Sequence, residues 1–268
     1  MMMTFETLTW ADLELLKEFE PPGWGDLVPR FRYHLENAFC KPVKLTVAGK
    51  MAAIGTVIFH KDSAWLASII VHPECRNKGY GTAITKFLID AVDQKRYSTI
   101  YLDATDMGYP VYKKLGFNQE MQYAHLKADQ PVSVRRISKS VIPYTPEFLP
   151  DLLAMDRFVS AEDRADTITG HLQSAMLYVS NKSLEGYYLP ALANGLIIAG
   201  NEVAGTELMN CRLQHFDFAV LPEVNTTALN YLTRNNLYQF RISRRMYMGK
   251  KKEWHAGKIY NRISGQLG

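Results

Sequence analysis

The sequence predicts an α/β protein built from two similarly organised halves. Three observations carry this. Short apolar runs alternate with segments whose apolar residues recur at helical spacing. The order strand, helix, strand, short helix occurs once in each half. The length, 268 residues, exceeds one average domain and falls short of three. The expected domains are 1–130 and 131–268.

In the first half, residues 11–20 (ADLELLKEFE) carry apolar positions at helical spacing, and PPGWGD (21–26) ends the pattern. Residues 27–40 read as a second helix. KLTVAGK and MAAIGTVIFH read as two strands around a turn at Gly49-Lys50. AWLASIIVH (64–72), apolar along most of its length, reads as a central strand. A helix over 79–93 follows, its face made by Ala83, Ile84, Phe87, Leu88 and Ala91. STIYLDAT (98–105) is a strand and GYPVYKKLGF (108–117) a short helix stopped by Gly116. QEMQYAHLKA closes the unit as a strand, and 129–140 connect it to the second half.

There, residues 146–176 read as mostly helical. Strands follow at AMLYVS, EGYYLP and GLIIAG, then a helix at VAGTELMNCRL, a strand at HFDFAVL and a helix at TTALNYLTRNN. The tail after Leu237 is strand-like in places. Laying VYKKLGF over YLTRNNL sets Leu237 at Phe117 and Leu232 at Tyr112, which suggests a duplication.

Composition narrows the function. Hydrophobic residues at 47% suffice for substantial cores, and charged residues at 22% describe an ordinary folded protein. The net charge is +4, and no basic block exceeds Lys250-Lys251-Lys252, so no nucleic-acid partner is expected. Cys40, Cys75 and Cys211 are odd in number and lack metal spacing, which predicts free thiols in a reducing compartment. No apolar run approaches the roughly 20 residues of a membrane span. The opening residues lack a basic segment followed by an apolar core, so a cytoplasmic location is expected. Trp10, Trp24 and Trp65 are expected in or near the core, as are Tyr187, Tyr188, Phe216, Phe218, Tyr231 and Tyr238. Asp156 with Arg157, and Asp163 with Arg164, are expected as local ion pairs. His171, His215 and His255 show no metal-ligand spacing.

The stretch VHPECRNKGYGT, Val71 to Thr82, carries the chemistry. A helix start leaves free backbone N–H groups and a partial positive charge, which suit a phosphate. Glycine allows close backbone approach. Arg76 and Lys78 add positive charge. The reading is a diphosphate cradle where strand 64–72 turns into helix 79–93. No Gly-Lys-Ser/Thr follows, so it is not a Walker loop, and the third glycine of the Rossmann pattern is missing. The plain alternative is a glycine turn that only tightens a strand–helix junction.

RNKGYG resembles the R-x-x-G-x-G signature of the GNAT N-acetyltransferases, preceded by the V-x-P of that family at Val71-His72-Pro73. GYPVYKKLGF resembles the family's second hallmark, a short helix of the form Y-x-x-L-G-F. The match covers roughly residues 4–128. The second half, with GYYLP, LIIAG, LPEVN and RRMYMG, resembles the partner domain of tandem GNAT proteins, but lacks an Arg-x-x-Gly-x-Gly and has Leu232 in place of the tyrosine. The resemblance implies two GNAT-like domains, each a mixed, mostly antiparallel twisted sheet flanked by helices, the second degenerate. It implies acetyl-CoA as co-substrate, with no metal. The pyrophosphate would lie on Arg76, Asn77, Lys78, Gly79, Tyr80, Gly81 and Thr82. The pantetheine would pair like an extra strand with Ile69, Ile70 and Val71, where the family's sheet splays.

Acetyl transfer to an amine needs a proton removed, an oxyanion stabilised and a thiolate protonated. The N–H of Val71 falls on the family's oxyanion donor and Tyr112 on its general acid; the alternative for Tyr112 is a packed helix tyrosine. Asp103, on the strand across the expected splay, is the candidate base acting through water, or else a half-buried capping residue. His72 and Glu36 are further candidates, while Asp62 fits a hairpin turn. The expected function is an N-acetyltransferase acting on a primary amine of a small molecule, with a homodimer possible. The alternatives are a CoA-binding sensor without turnover and a protein acetyltransferase.

Overall fold

The computed structural model describes residues 2–21, 23–130, 132 and 134–267. They divide into two units: residues 2–118 with Met246–Lys251 and Leu267, and Gln119–Arg245 with Lys252–Gln266.

In the first unit, β1 (Met3–Thr7), β2 (Cys40–Val47), β3 (Lys50–Phe59), β4 (Ala64–Val71) and β5 (Thr99–Ala104) lie side by side in that order. Neighbours are antiparallel except β4 and β5, which are parallel. β3 and β4 are buried on both faces along most of their length, as expected of largely apolar runs. One face packs on α2 (Tyr80–Asp90), whose Ile84 and Leu88 are fully buried among Val57, Leu66 and Leu102. Burying each such side chain stabilises the fold by roughly 1.5–3 kcal/mol. The other face packs on a 3₁₀ helix, Trp10–Phe19, and on α1 (Val28–Glu36), through Leu16, Phe19 and Phe31 against Ile54 and Ile70. α3 (Tyr109–Lys114) follows β5.

The second unit takes its strands from β6 (Asn118–Lys127), β7 (Val141–Pro143), β8 (Met176–Ser180), β9 (Ser183–Leu189), β10 (Leu196–Ala199), β11 (Phe218–Pro222), β12 (Tyr238–Gly249) and β13 (Ile259–Asn261). Its helices are α4 (Leu149–Ser160), α5 (Ala165–Thr169), α6 (Glu202–Leu213) and α7 (Thr226–Arg234). One sheet runs β13-β10-β9-β8-β7, and a second group runs β12-β6-β11. A core of Leu126, Tyr188, Ile197, Leu208, Leu221 and Leu232 joins them to α6 and α7.

The units do not follow a cut at residue 130. β6 pairs with β11, from Phe218↔Lys127 to Pro222↔Tyr123, and so belongs to the second unit. Met246–Lys251 belongs to the first, where Lys250 N–H donates to the Ser98 carbonyl at 2.8 Å and Thr99 Oγ1 donates to the Lys250 carbonyl at 2.6 Å. Part of β6 is thus counted with the second unit, and part of β12 with the first.

Several expectations are corrected. The second helix stops at Glu36, because Cys40 already pairs with Ile58 as the start of β2. β1 was unforeseen; it is an edge strand paired on one side, with little apolar patterning. Trp65 is fully buried, but Trp10 is 51% exposed, with Arg32 over its ring. Tyr238 is also exposed, its hydroxyl donating to Asp129 at 2.9 Å. The ion pairs cross over: Arg164 binds Asp156 at 2.9 Å inside the second unit, and Arg157 binds Asp163 at 3.3 Å at its surface. Asp156 and Arg157 are adjacent on α4, and adjacent helical residues do not face one another. Cys40, Cys75 and Cys211 are free thiols. Among the described residues, no helix is long and apolar enough to cross a membrane.

Candidate active site

The site starts with a defect in a ladder. β3 and β4 pair regularly from Phe59↔Ala64 to Thr56↔Ala67, then resume one residue out of step at Ile54↔Ile70. Gly55 therefore faces both Ser68 and Ile69. Ser68 has φ of +51°, in the left-handed region, and is buried, its hydroxyl without a partner among the described residues. A Cβ on Gly55 would stand 2.7 Å from Leu88 Cδ1, so α2 sits directly against the bulge. A bulge bends and twists its strand. On the far side, β4 pairs with β5 only at Ala64↔Ile100 and Trp65↔Tyr101, and among the described residues the ladder goes no further.

The parted edge of β4 points its backbone into this gap. His72 N–H donates to the Ala52 carbonyl at 2.9 Å, toward β3. Strand alternation then sends the Val71 N–H the opposite way, to the side β5 has left. Ile69 and Val71 are half-buried against the core under α2, whereas Ile70 is buried on the opposite face.

Beyond Val71 the chain makes one 3₁₀ turn, Pro73–Cys75, and enters α2 through two left-handed residues, Asn77 at φ +61° and Gly79 at φ +84°. Gly79 caps α2 without a side chain, and the first intrahelical bond runs from Ala83 N–H to the Gly79 carbonyl at 3.0 Å. The amides of Tyr80, Gly81 and Thr82 precede it, so they have no partner within the helix. A Cβ on Gly81 would meet only Val71 Cγ2, at 3.4 Å. Packing therefore does not require glycine at 81; its effect is to leave the first turn bare. By contrast, Asn201 and Asn225 cap α6 and α7 with their side chains. Arg76 is half-buried, and Lys78 is exposed with Nζ on the Glu74 carbonyl at 2.9 Å. Among the described residues neither is in an ion pair. These residues fit a diphosphate group: open amides, an absent side chain and two cations outside the ion pairs seen among the described residues.

Tyr112 lies on α3, 9% exposed, its ring edge-on to Phe117. Gly108 lies against the phenol: a Cβ there would be 2.7 Å from Tyr112 Cε2 and 3.2 Å from its oxygen. Burial raises the phenol pKa well above its usual value, and the charge of Asp103 raises it further. Tyr112 is thus a protonated donor at neutral pH, electrostatically coupled to the half-buried Asp103 of β5. His72 is held in a structural setting: Nδ1 accepts from the Glu74 N–H at 3.3 Å, Nε2 is 3.6 Å from Glu18, and the ring is edge-on to Phe19. Glu36 is exposed at the end of α1, and Asp62 lies in the β3–β4 turn. Sequence reasoning missed Gly55, Ser68 and Gly108. Gly108 carried a signal, because it opens the very motif that contains Tyr112.

Residues 9–117 match the model of the acetyltransferase (GNAT) family. Over 79 residues it is 33% identical to the [ribosomal protein bS18]-alanine N-acetyltransferase of Escherichia coli, a match covering 28% of this chain and 53% of that protein. The counterpart from Salmonella typhimurium is 30% identical over 80 residues, covering 29% and 54%. The chain thus matches about half the length of these curated relatives. Among solved structures, a presumed acetyltransferase from Pyrococcus horikoshii superposes with a TM-score of 0.84 at 20% identity, covering 99% of this chain and 96% of that one. A GCN5-related N-acetyltransferase from Sphaerobacter thermophilus superposes with a TM-score of 0.64 at 15% identity, covering 92% and 95%. At these identities the likeness is one of fold: mixed α/β, with mostly antiparallel sheets flanked by helices.

Proposed function

We propose that the first unit is an acetyl-CoA-dependent N-acetyltransferase, moving the acetyl group to a primary amine of a small-molecule acceptor by direct attack on the thioester. The observation that carries this reading is the parting of β4 from β5 beside the bare, glycine-capped start of α2. Acetyl-CoA, when bound, supplies the activated acetyl thioester and a diphosphate handle. The amides of Tyr80, Gly81 and Thr82, with Arg76 and Lys78, bind the handle, and Asn77 and Gly79 shape the turn that presents them. The free edge at Ile69–Val71 receives the pantetheine arm as an added strand.

The chain's own groups then handle charge and protons. Val71 N–H donates to the acyl oxygen as negative charge builds there. Asp103 accepts, through water, the proton shed by the attacking amine as the N–C bond forms. Tyr112 O–H gives its proton to the sulfur as the C–S bond breaks. A phenol is a weaker acid than a thiol, with reference pKa values near 10 and 8.5, so this transfer depends on close positioning. Protonation of Asp103 removes the charge that opposes a phenolate at Tyr112, which eases the donation.

The test is release of CoA thiol from acetyl-CoA with a panel of amines: amino acids, polyamines, aminoglycosides and a peptide beginning with alanine, the residue named in the curated relatives. Acceptor-dependent release with any small amine supports the reading. Release with the peptide alone moves the acceptor to a protein N-terminus. Binding without release makes the protein a sensor.

A further inference from the structure

The second unit repeats the order of elements around the site. β8, β9, β10, α6, β11, α7 follow one another as β2, β3, β4, α2, β5, α3 do. β10 therefore stands where β4 does, α6 where α2 does, and β11 where β5 does. What lies beside the middle strand differs. β10 pairs with β9 on one side, from Leu196↔Leu189 to Ala199↔Gly186, and with β13 on the other, at Ile197↔Asn261 and Ile198↔Ile259. The side of β4 that is left open is, on β10, covered by the chain's own late segment.

That segment also joins to β11. Arg262 N–H donates to the Val220 carbonyl at 2.8 Å. The fully buried Asn261 side chain accepts from Val220 N–H at 2.9 Å and donates to the carbonyls of Asn194 and Gly195 at 3.0 and 2.6 Å. Asn225 Nδ2 donates to the Ile259 carbonyl at 3.0 Å. Residues 259–262 thus bridge β10 and β11, an extended peptide hydrogen-bonded on both sides.

The helix start is occupied too. The Tyr260 ring lies on the first turn of α6 at Gly205, where a Cβ would collide with it. A glycine inside a helix costs about 1 kcal/mol relative to alanine, and this contact accounts for it. Lys258 Nζ donates to the Gly200 carbonyl at 2.9 Å, and the Asn201 side chain takes the Ala204 amide at 2.9 Å. A strand in the gap, a ring on the first turn and a side-chain cap all stand where the first unit is open.

We propose that residues 258–262 fill, in the second unit, the place the coenzyme takes in the first, so that the chain holds one coenzyme and its second unit is a closed copy. This rests on the reading under Proposed function and deepens it by naming the occupant. Being part of the same chain, the segment competes at a high effective concentration that a free coenzyme does not reach.

The test is calorimetric titration of the full chain with CoA, combined with amide hydrogen exchange. The expected result is one CoA per chain, slower exchange at 69–71 and 79–83, and unchanged exchange at 258–262. Two CoA per chain, or a CoA-dependent change of exchange at 258–262, overturns the inference while leaving the first-unit reading intact. No binding at all overturns that reading and, with it, the inference.

Discussion

Gly108→Ala tests the role of Tyr112 without touching its hydroxyl. Gly108 has φ −80° and ψ −30°, a conformation alanine adopts freely, so the backbone bears no strain. The effect comes from contact alone. The new Cβ would lie 2.7 Å from Tyr112 Cε2, 3.1 Å from Cζ and 3.2 Å from the phenol oxygen. Non-bonded carbons prefer about 3.5–4.0 Å, so the ring must move by roughly 0.8 Å or more. The ring is buried and set against Phe117, which leaves little room to yield. Overpacking of this kind costs about 1–3 kcal/mol. A misplacement near 1 Å costs on the order of 100-fold in rate, so kcat should fall about 10- to 100-fold. Affinity for CoA should stay within about twofold, because the proposed cradle on α2 is untouched. Steady-state thiol release and calorimetric CoA titration measure the two quantities. In a Tyr112→Phe background the alanine should add no further loss of kcat. Unchanged kcat with lowered stability, or full additivity with Tyr112→Phe, would refute the role given to the phenol.

Three other outcomes are expected. Tyr112→Phe should lower kcat by about 100-fold or more while sparing CoA affinity, the range typical of a lost general acid; kinetics at saturating CoA decide it, and an unchanged rate removes the acid role. Asn261→Ala leaves the Val220 amide and two carbonyls without their buried partner and should destabilise the second unit by about 2–4 kcal/mol in urea titration; a loss under about 0.5 kcal/mol contradicts the bridging role given to it. His125 is buried, accepts from Arg241 at Nδ1, and through burial and the charges of Arg262 and Arg241 is pushed down to about 2. The folded state keeps it neutral while the unfolded chain binds a proton below about 6.5, so its contribution is complete above that pH and is lost as pH falls, at about 1.4 kcal/mol per unit. His125→Gln should flatten the pH dependence of stability between about 6 and 4 by this slope; parallel curves contradict it.

Much of the first unit was legible because its signals are local. β3, β4 and β5 are largely apolar runs, and α2 shows its apolar face directly after the glycines. The pairing partners were not legible. β6 and β12 are both strand-like, and which sheet each joins depends on residues more than 100 positions away, such as Phe218 opposite Lys127. The bulge at Ser68 left only Gly55 as a trace, a glycine inside a strand pattern. In the same way Gly205 interrupts the helical pattern of α6 and marks where Tyr260 lands. In the candidate site, the glycine turn and Tyr112 were read from motif spacing. Their setting is a property of the fold: the side of β4 left open, the bare first turn of α2 and the wedge at Gly108.

The most direct measurement is a crystal structure of the full chain soaked with acetyl-CoA. The account predicts diphosphate oxygens within hydrogen-bond distance of the Tyr80, Gly81 and Thr82 amides, and the pantetheine arm laid along Ile69–Val71. Coenzyme density elsewhere, or none at saturating concentration with these amides facing solvent, would contradict it.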